Sequence, residues 1–222
     1  MIRERLAPPR IYAIADAKAL APLPLNEGVA AIAEAGVRWI QLRAKPAGLL
    51  SDLHLYREVE AACRRTEGST ARLWIDDRAD LAALFPLSSI LGLHLGQTDL
   101  PPEAARRTIG DRLAIGLSTH DHTQVSAADA DPEVDLLAVG PVFETASKER
   151  PDRRVGLEFI PRARRATAKP LVAIGGITTE NVTRVLAAGA DSAVVLGAIC
   201  RGGDGRSVGR NAAALLAAAE YA

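Results

Sequence analysis

The chain has 222 residues, of which 48% are hydrophobic and 24% are charged, an ordinary balance for a globular protein with a sizeable core. Its 27 lysines and arginines offset its 27 aspartates and glutamates, and only 4% of its residues are aromatic. These values argue against nucleic acid or a membrane as a partner, because the chain has neither a net positive field nor many stacking side chains.

Short apolar runs alternate with amphipathic stretches of helical spacing from the amino terminus onward. The predicted strands lie at 11–15, 39–43, 72–76, 92–95, 113–117, 136–139, 171–174 and 192–196. The predicted helices follow them at roughly 26–36, 51–66, 78–84, 101–108, 121–129, 157–167, 178–188 and 207–221. Most of the strands are continuously apolar, which is typical of a parallel sheet that is covered on both sides.

Eight strand–helix units of this length favour a closed parallel (β/α)₈ barrel, a TIM barrel of the α/β class, over an open doubly wound sheet. No linker-like segment interrupts them, so we assign residues 1–222 to a single domain, with residues 1–10 as an amino-terminal extension. The longest stretch without periodicity, 140–156, is charged and contains two prolines. We interpret it as an active-site loop, with a tolerated surface insertion as the alternative.

The predicted second strand ends in polar residues, at the edge where a barrel of this kind places its active site. Gln41, Arg43 and Lys45 alternate along the strand and therefore share one face. Inward-facing Arg and Lys side chains would form a clamp for an anion. The alternative is a basic strand end whose side chains extend into solvent.

Carboxylates follow the next two strands. Asp76 and Asp77 come at the end of the third strand, and Asp99 lies just beyond the fourth. Adjacent parallel strands lie about 4.8 Å apart, so carboxylates at their ends can converge on one cation. Two carboxylates and substrate phosphate oxygens are a common Mg²⁺ site, although Asp99 alone would more often cap a helix. The basic residues one strand away favour a Mg²⁺–pyrophosphate between the two groups.

Hydroxyls and a further ammonium follow strands five and six. Ser118 can donate to a phosphate oxygen, and His120 could act as an acid or base or merely satisfy neighbouring hydrogen bonds. Thr145, Ser147 and Lys148 are the components of a second anion site on the loop after strand six.

The last two strands end in small residues. Gly176 opens the helix after strand seven, and Leu196 and Gly197 follow strand eight, where backbone N–H groups can approach a phosphate. Together with the clamp and the carboxylates, this indicates two phosphorylated substrates or one molecule phosphorylated at both ends. His94, inside strand four, is interpreted as a core residue.

Seven ordered blocks carry a family resemblance that extends from about residue 11 to residue 199. They are IQLRAK, IDDRADLA, GLHLGQTDLP, GLSTH, VGPVFETASK, AIGGIT and AGADSAVVLGAI. In order and spacing they resemble the motifs of the thiamine-phosphate synthase family. The resemblance implies a transferase that uses Mg²⁺ to condense 4-amino-2-methyl-5-hydroxymethylpyrimidine diphosphate with 4-methyl-5-(2-phosphoethyl)thiazole. The products would be thiamine phosphate and pyrophosphate.

The resemblance also implies a role for each matching residue. The pyrimidine diphosphate would contact Gln41, Arg43, Lys45, Asp76, Ser118 and Lys148, of which Arg43, Lys45, Ser118 and Lys148 would be catalytic. Mg²⁺ would be held by Asp77 and Asp99. The thiazole phosphate would contact Thr145, Ser147, Gly176, Leu196 and Gly197. The implied mechanism is dissociative, with a pyrimidine carbocation captured by the thiazole nitrogen. It requires no nucleophilic side chain, and the sequence shows no convincing Cys/His or Ser/His pair.

The chain departs from the family pattern at four positions. Asp76 stands where the family often has Asn, which removes an amide donor and adds negative charge near the pyrophosphate. Glu144 replaces a common Pro, and Ser147 and Gly197 stand where Thr and Ser are frequent. Two alternatives are kept: a thiazole tautomerase of the same superfamily, which the segment FETASK also resembles and which would use His120, and a non-catalytic regulatory barrel that binds a phosphate ligand.

The expected partners are small phosphorylated molecules, and self-association into a homo-oligomer stays open. The two cysteines, Cys63 and Cys200, lack metal-ligand spacing and indicate a reducing compartment. No apolar run is long enough to span a bilayer, and no signal-peptide core follows the charged amino terminus. We therefore expect a cytoplasmic location.

Overall fold

The computed structural model describes residues 6–44, 48–65, 70–85, 89–145 and 153–221, without the side chains of residues 49, 50 and 63–65. Eight parallel strands pair in sequence order, and the first strand also pairs with the eighth, so the sheet closes on itself. Helices alternate with the strands along the chain. The predicted (β/α)₈ barrel is therefore confirmed.

The strands lie within two residues of their predicted bounds. They are β1 (Ile11–Asp16), β2 (Trp39–Arg43), β3 (Arg72–Asp76), β4 (Ile90–Leu95), β5 (Ala114–Thr119), β6 (Leu136–Val139), β7 (Leu171–Ile174) and β8 (Ser192–Val195). The helices are α1 (Ala17–Leu20), α2 (Leu25–Glu34), α3 (Leu49–Arg65), α4 (Ala79–Leu84), α5 (Pro102–Ile109), α6 (His122–Ala130), α7 (Phe159–Ala166), α8 (Val182–Ala187) and α9 (Gly205–Glu220). A short 3₁₀ turn, Gly110–Arg112, follows α5.

Two helices differ from the prediction. The four-residue α1 was not predicted, because a single turn is too short to show periodicity. It is capped by Asp16, whose carboxylate accepts a hydrogen bond from the Ala19 backbone N–H at 2.8 Å. Helix α8 begins at Val182 and not near residue 178, because the preceding residues form a turn in which the Asn181 side chain accepts from the Thr178 N–H at 2.9 Å.

The barrel interior is packed around three aromatic side chains from consecutive strands. Tyr12, Trp39 and Trp74 lie with their ring centroids 5.7, 5.8 and 5.3 Å apart. The Trp74 ring lies over Gly92, where a Cβ atom would come within 2.5 Å of the ring and 2.6 Å of the Ala114 carbonyl oxygen. Strand β4 therefore has a glycine where the neighbouring indole would collide with any side chain. At this level the interior of the barrel is filled by side chains.

This packing predicts that Gly92→Ala destabilises the fold by about 1–3 kcal/mol, because neither the buried indole nor the backbone carbonyl can move away freely. The free energy of unfolding from urea titration measures the effect. Gly205→Ala is the matched control, since a Cβ at that position would meet only Ala31 Cβ at 3.9 Å. Equal stabilities of the two variants would contradict the packing argument.

The outer faces of the strands pack against the helices in a second, larger apolar cluster. Leu42 belongs to it, as expected for a residue that alternates with the inward-facing Gln41. In the part of the chain that the structure describes, no helix combines the length and the apolar character needed to cross a membrane.

Candidate active site

A cavity of about 320 Å³ opens at the carboxyl ends of the strands. Each of the eight strands contributes at least one residue to its wall, so the cavity lies on the barrel axis. Enzymes with this fold place their active sites at this end. Charged and polar side chains line the cavity on the side of β1 to β5. Beyond β6 to β8 it is lined by glycine turns together with Glu144, Thr145, Thr178 and Arg201.

A buried polar network forms the charged side. Gln41 accepts a hydrogen bond from the Tyr12 hydroxyl at 2.9 Å and donates one from its amide nitrogen to Asp76. Arg43 donates to Asp16, and its Nε lies 3.4 Å from the second oxygen of Asp76. Flipping the Gln41 amide would set its oxygen against a carboxylate, so the network defines which edge of the amide faces the cavity.

Two further carboxylates lie next to this network. Asp77 has a left-handed backbone with φ 59°, and its side chain is within hydrogen-bonding reach of Asp99. Loss of solvation at the carboxyl group, then the negative charges of Asp76 and Asp99, raise the pKa of Asp77 to about 8, although the residue as a whole is exposed. Asp99 accepts from the Gly96 N–H at 2.8 Å, so it caps its own turn and not helix α5.

Carboxylates that repel one another in this way favour either a shared proton or a bound cation. Among the described residues, no group of three or more His, Cys, Asp or Glu side chains is arranged to hold a metal ion by itself. Asp77 and Asp99 lie within hydrogen-bonding reach of each other, and such a pair of carboxylates would suit the predicted type of Mg²⁺ site, which phosphate oxygens and water complete.

Ser118 and His94 form a hydrogen-bonded pair in the cavity wall. The His94 Nε2 lies 3.0 Å from the Ser118 hydroxyl, and both residues line the cavity. The imidazole occupies the space left by Gly116, where a Cβ atom would come within 2.6 Å of Nδ1. The expectation that no Ser/His pair exists was therefore wrong. His94 is buried as expected, with 7% of it exposed, and it also lines the cavity.

His120 has a defined tautomer. Its Nδ1 lies 2.6 Å from the carbonyl oxygen of Gly140, and since a carbonyl only accepts, Nδ1 carries the hydrogen. In the neutral ring, Nε2 is then the basic nitrogen. The residue also lines the cavity, so this basic nitrogen belongs to the site.

The other end of the cavity is built from glycine turns. Gly175 and Gly176, with φ of 108° and 63°, follow β7 and contact the segment after β6. A Cβ on Gly175 would lie 2.6 Å from Pro141, and one on Gly176 would collide with the Glu144 carbonyl oxygen. The Val142 and Phe143 N–H groups donate to this turn at 2.9 and 3.0 Å. Glycine therefore allows two active-site loops to lie against each other.

Most of the predicted site residues lie around one cavity. Its wall includes Gln41, Arg43, Asp76, Ser118, Thr145, Gly176, Leu196 and Gly197. Asp77 and Asp99 are adjacent to Asp76 but do not themselves line the cavity. Lys45, Ser147 and Lys148 lie outside the described residues, as do residues 146–152 of the predicted active-site loop.

Three residues of the site were missed. Tyr12 and Asp16 alternate inward on β1, and the rule applied to the other strand ends would have found Asp16. Arg201 also lines the cavity, although it lies six residues beyond the end of β8 in the turn before α9. Because Arg201 lies so far from the strand end, the search for polar residues at strand ends did not find it.

Comparison with known proteins identifies the family of the chain. A family model described as thiamine monophosphate synthase matches residues 11–199. The thiamine-phosphate synthase of Koribacter versatilis is 42% identical over 192 residues, which cover 85% of this chain and 87% of that protein. The thiamine-phosphate synthase of Acidothermus cellulolyticus is 40% identical over 98% of this chain and 100% of its own length.

A solved structure gives the same result at the level of the fold. The thiamine phosphate pyrophosphorylase of Pyrococcus furiosus superposes with a TM-score of 0.79 at 30% identity, covering 96% of both chains. The sequence motifs, the closed barrel and these relatives therefore agree. The chain belongs to the thiamine monophosphate synthase family, as its motifs predicted.

Proposed function

We propose that this chain condenses 4-amino-2-methyl-5-hydroxymethylpyrimidine diphosphate with 4-methyl-5-(2-phosphoethyl)thiazole, giving thiamine phosphate and pyrophosphate. The observation that carries the proposal is one cavity with two different ends. The end at β1 to β5 has arginine and carboxylates and suits a diphosphate with its cation. The end at β7 and β8 exposes backbone at glycines and suits a monophosphate.

The diphosphate end would bind the first substrate. Arg43 would contact the leaving diphosphate, and Ser118 would donate a hydrogen bond to it. Asp77 and Asp99 would hold Mg²⁺, which when bound neutralises charge on the departing pyrophosphate. The sequence adds Lys45 and Lys148 to this end.

Gln41 is suited to recognise the pyrimidine ring. Its amide lies in the cavity wall with a defined orientation, and an amide presents a donor and an acceptor side by side. An aminopyrimidine presents the complementary pair. Asp76, which replaces the more frequent Asn, would act here by holding Gln41 and not by donating to the substrate.

The other end would hold the thiazole phosphate by Thr145 and the backbones of Gly176, Leu196 and Gly197, with Ser147 from the adjoining loop. Both substrates would then face each other across the cavity, with the thiazole nitrogen near the methylene carbon that loses pyrophosphate. Catalysis would consist chiefly of positioning and of stabilising the separated charges. In a dissociative reaction, the Ser118 hydroxyl serves as a hydrogen-bond donor and His94 as its positioning partner.

The direct test supplies both substrates with and without Mg²⁺ and measures thiamine phosphate and pyrophosphate. We expect equal amounts of the two products with Mg²⁺, loss of turnover with a chelator, and recovery when Mg²⁺ is restored. A reaction without the thiazole is the control, because pyrophosphate release should then be slow. Turnover that needs no metal would contradict the proposed role of Asp77 and Asp99.

A second candidate is isomerisation of the thiazole by the basic nitrogen of His120, which the bond to Gly140 directs to Nε2. The thiazole supplied alone distinguishes it. Isomerisation that is lost in His120→Ala, in a protein that forms no thiamine phosphate, would favour this candidate over the condensation.

A further inference from the structure

We propose that Arg201 binds the phosphate of the thiazole substrate and sets the preference for the phosphorylated over the unphosphorylated thiazole. The inference rests on the proposed function and deepens it at the monophosphate end of the cavity. It adds a positive charge to an end of the cavity whose other polar side chains, among the described residues of the wall, are Glu144, Thr145 and Thr178.

The turn between β8 and α9 places Arg201 at this end. Arg201 lines the cavity together with Gly176, Gly197 and Ala198. Its backbone is held against α9, because the Asn211 side-chain amide donates to the carbonyl oxygen of Arg201 at 3.0 Å. The same amide lies 3.2 Å from the Ile199 carbonyl oxygen, so one side chain fixes the turn at two points.

Arg201 and Arg43 are the arginines of the cavity wall in the part of the chain that the structure describes. Among the described residues of the wall, these two carry a fixed positive charge, one at each end. Arg43 is engaged by Asp16 and lies beside Asp76. In the described part of the chain, Arg201 forms no ion pair within 4.0 Å. Its charge acts on Glu180, but the principal partner of that carboxylate is the Thr178 hydroxyl.

A guanidinium would strengthen the binding of a phosphate monoester at this end. Backbone N–H groups at glycine turns supply hydrogen bonds but no net charge, whereas a guanidinium supplies both and matches two phosphate oxygens with its fork. An unphosphorylated thiazole alcohol has no group that requires the guanidinium. Arg201 should therefore strengthen the binding of the phosphorylated thiazole and leave the binding of the alcohol unchanged.

The experiment compares Arg201→Gln with Arg206→Gln, a matched control in which an exposed arginine at the start of α9 is removed without touching the cavity wall. Steady-state kinetics are measured with the thiazole phosphate and with the thiazole alcohol. We expect the KM for the thiazole phosphate to rise about 10- to 100-fold in Arg201→Gln, the range of a charge-assisted hydrogen bond. The kcat/KM for the alcohol and the KM for the pyrimidine diphosphate should change less than about twofold, and Arg201→Lys should be intermediate.

The outcomes separate this inference from the proposed function. An unchanged KM for the thiazole phosphate, or an equal rise for both thiazoles, would overturn the role of Arg201 while condensation itself continues. If the wild-type protein forms no thiamine phosphate, the proposed function fails. Calorimetric binding of the thiazole phosphate to wild type and Arg201→Gln then still decides whether Arg201 holds the phosphate. Circular dichroism verifies that both variants are folded.

Discussion

Replacing Asp77 by Asn is expected to lower kcat by about 10³-fold and, at the same time, to stabilise the metal-free protein at about pH 8. The loss of activity follows from removing one of two carboxylates available to a cation at the diphosphate end. Asn is chosen because it tolerates the left-handed backbone of residue 77, whereas Ala would add strain at φ 59°. The variant therefore changes the charge and little else.

The gain in stability follows from the raised pKa of Asp77. In the unfolded chain this carboxyl ionises at about pH 4, but in the folded protein it retains its proton until about pH 8. The folded state thus binds more protons between these values, and its stability falls as the pH rises through that window. The asparagine of the variant cannot ionise, so the variant escapes this loss, and its advantage over the metal-free wild type grows toward pH 8.

Thermal unfolding at about pH 5 and pH 8, with a chelator or with Mg²⁺, measures both effects. Mg²⁺ should raise the Tm of the wild type more at the higher pH, and should change the variant little. Asp80→Asn is the matched control three residues away. Arg78 lowers the pKa of Asp80 by hydrogen bonding, so removing this carboxylate should reduce stability slightly and leave kcat unchanged. A fully active Asp77→Asn protein would exclude the carboxylate as a metal ligand.

The strands and their polar ends were predictable from sequence for a common physical reason. A strand buried on both faces is expected to be apolar over its length, so polar residues stand out in it: Gln41 and Arg43 in β2, and Asp76 at the end of β3. In a closed parallel barrel all such ends meet at one mouth, and the prediction of the fold therefore also predicts which residues meet. Their mutual hydrogen bonds depend on side-chain conformation, which the pattern does not contain.

One missed contact depends on the register of two strands, and one missed residue depends on a long connection. His94 reaches Ser118 because β4 and β5 pair with His94 opposite Gly116. The register of two paired strands cannot be predicted from the sequence of either strand alone. Arg201 reaches the cavity from a turn that is fixed by Asn211, ten residues further along the chain. Contacts between distant residues of this kind appear only once the barrel is assembled.

Replacing Arg43 by Met is expected to lower kcat/KM for the pyrimidine diphosphate by about 10²- to 10³-fold, because a fixed cation next to the leaving group is lost. The KM for the thiazole phosphate should stay within about twofold, since the phosphate end of the cavity is separate. Equal losses for both substrates would show that the two ends are not independent sites.

The same variant should also be less stable, by about 2–3 kcal/mol at pH 8. This lies below the usual cost of breaking a buried ion pair, because 41% of the Arg43 side chain is exposed and solvent screens part of the effect. Arg107→Met, which breaks a pair whose side chains are 68% and 80% exposed, is the control and should change stability by less than about 0.5 kcal/mol.

The pH dependence of this loss follows from Asp76. Burial raises the pKa of Asp76, and Arg43 opposes that rise, so the pKa goes higher still when Arg43 is removed. A carboxyl with a raised pKa in the folded state reduces stability progressively as the pH increases above its unfolded value. The stability difference between wild type and Arg43→Met should therefore be smaller at about pH 5 than at pH 8. A stability difference that shrinks as the pH rises would contradict this argument, because it would mean that Arg43 does not stabilise the ionised carboxylate of Asp76.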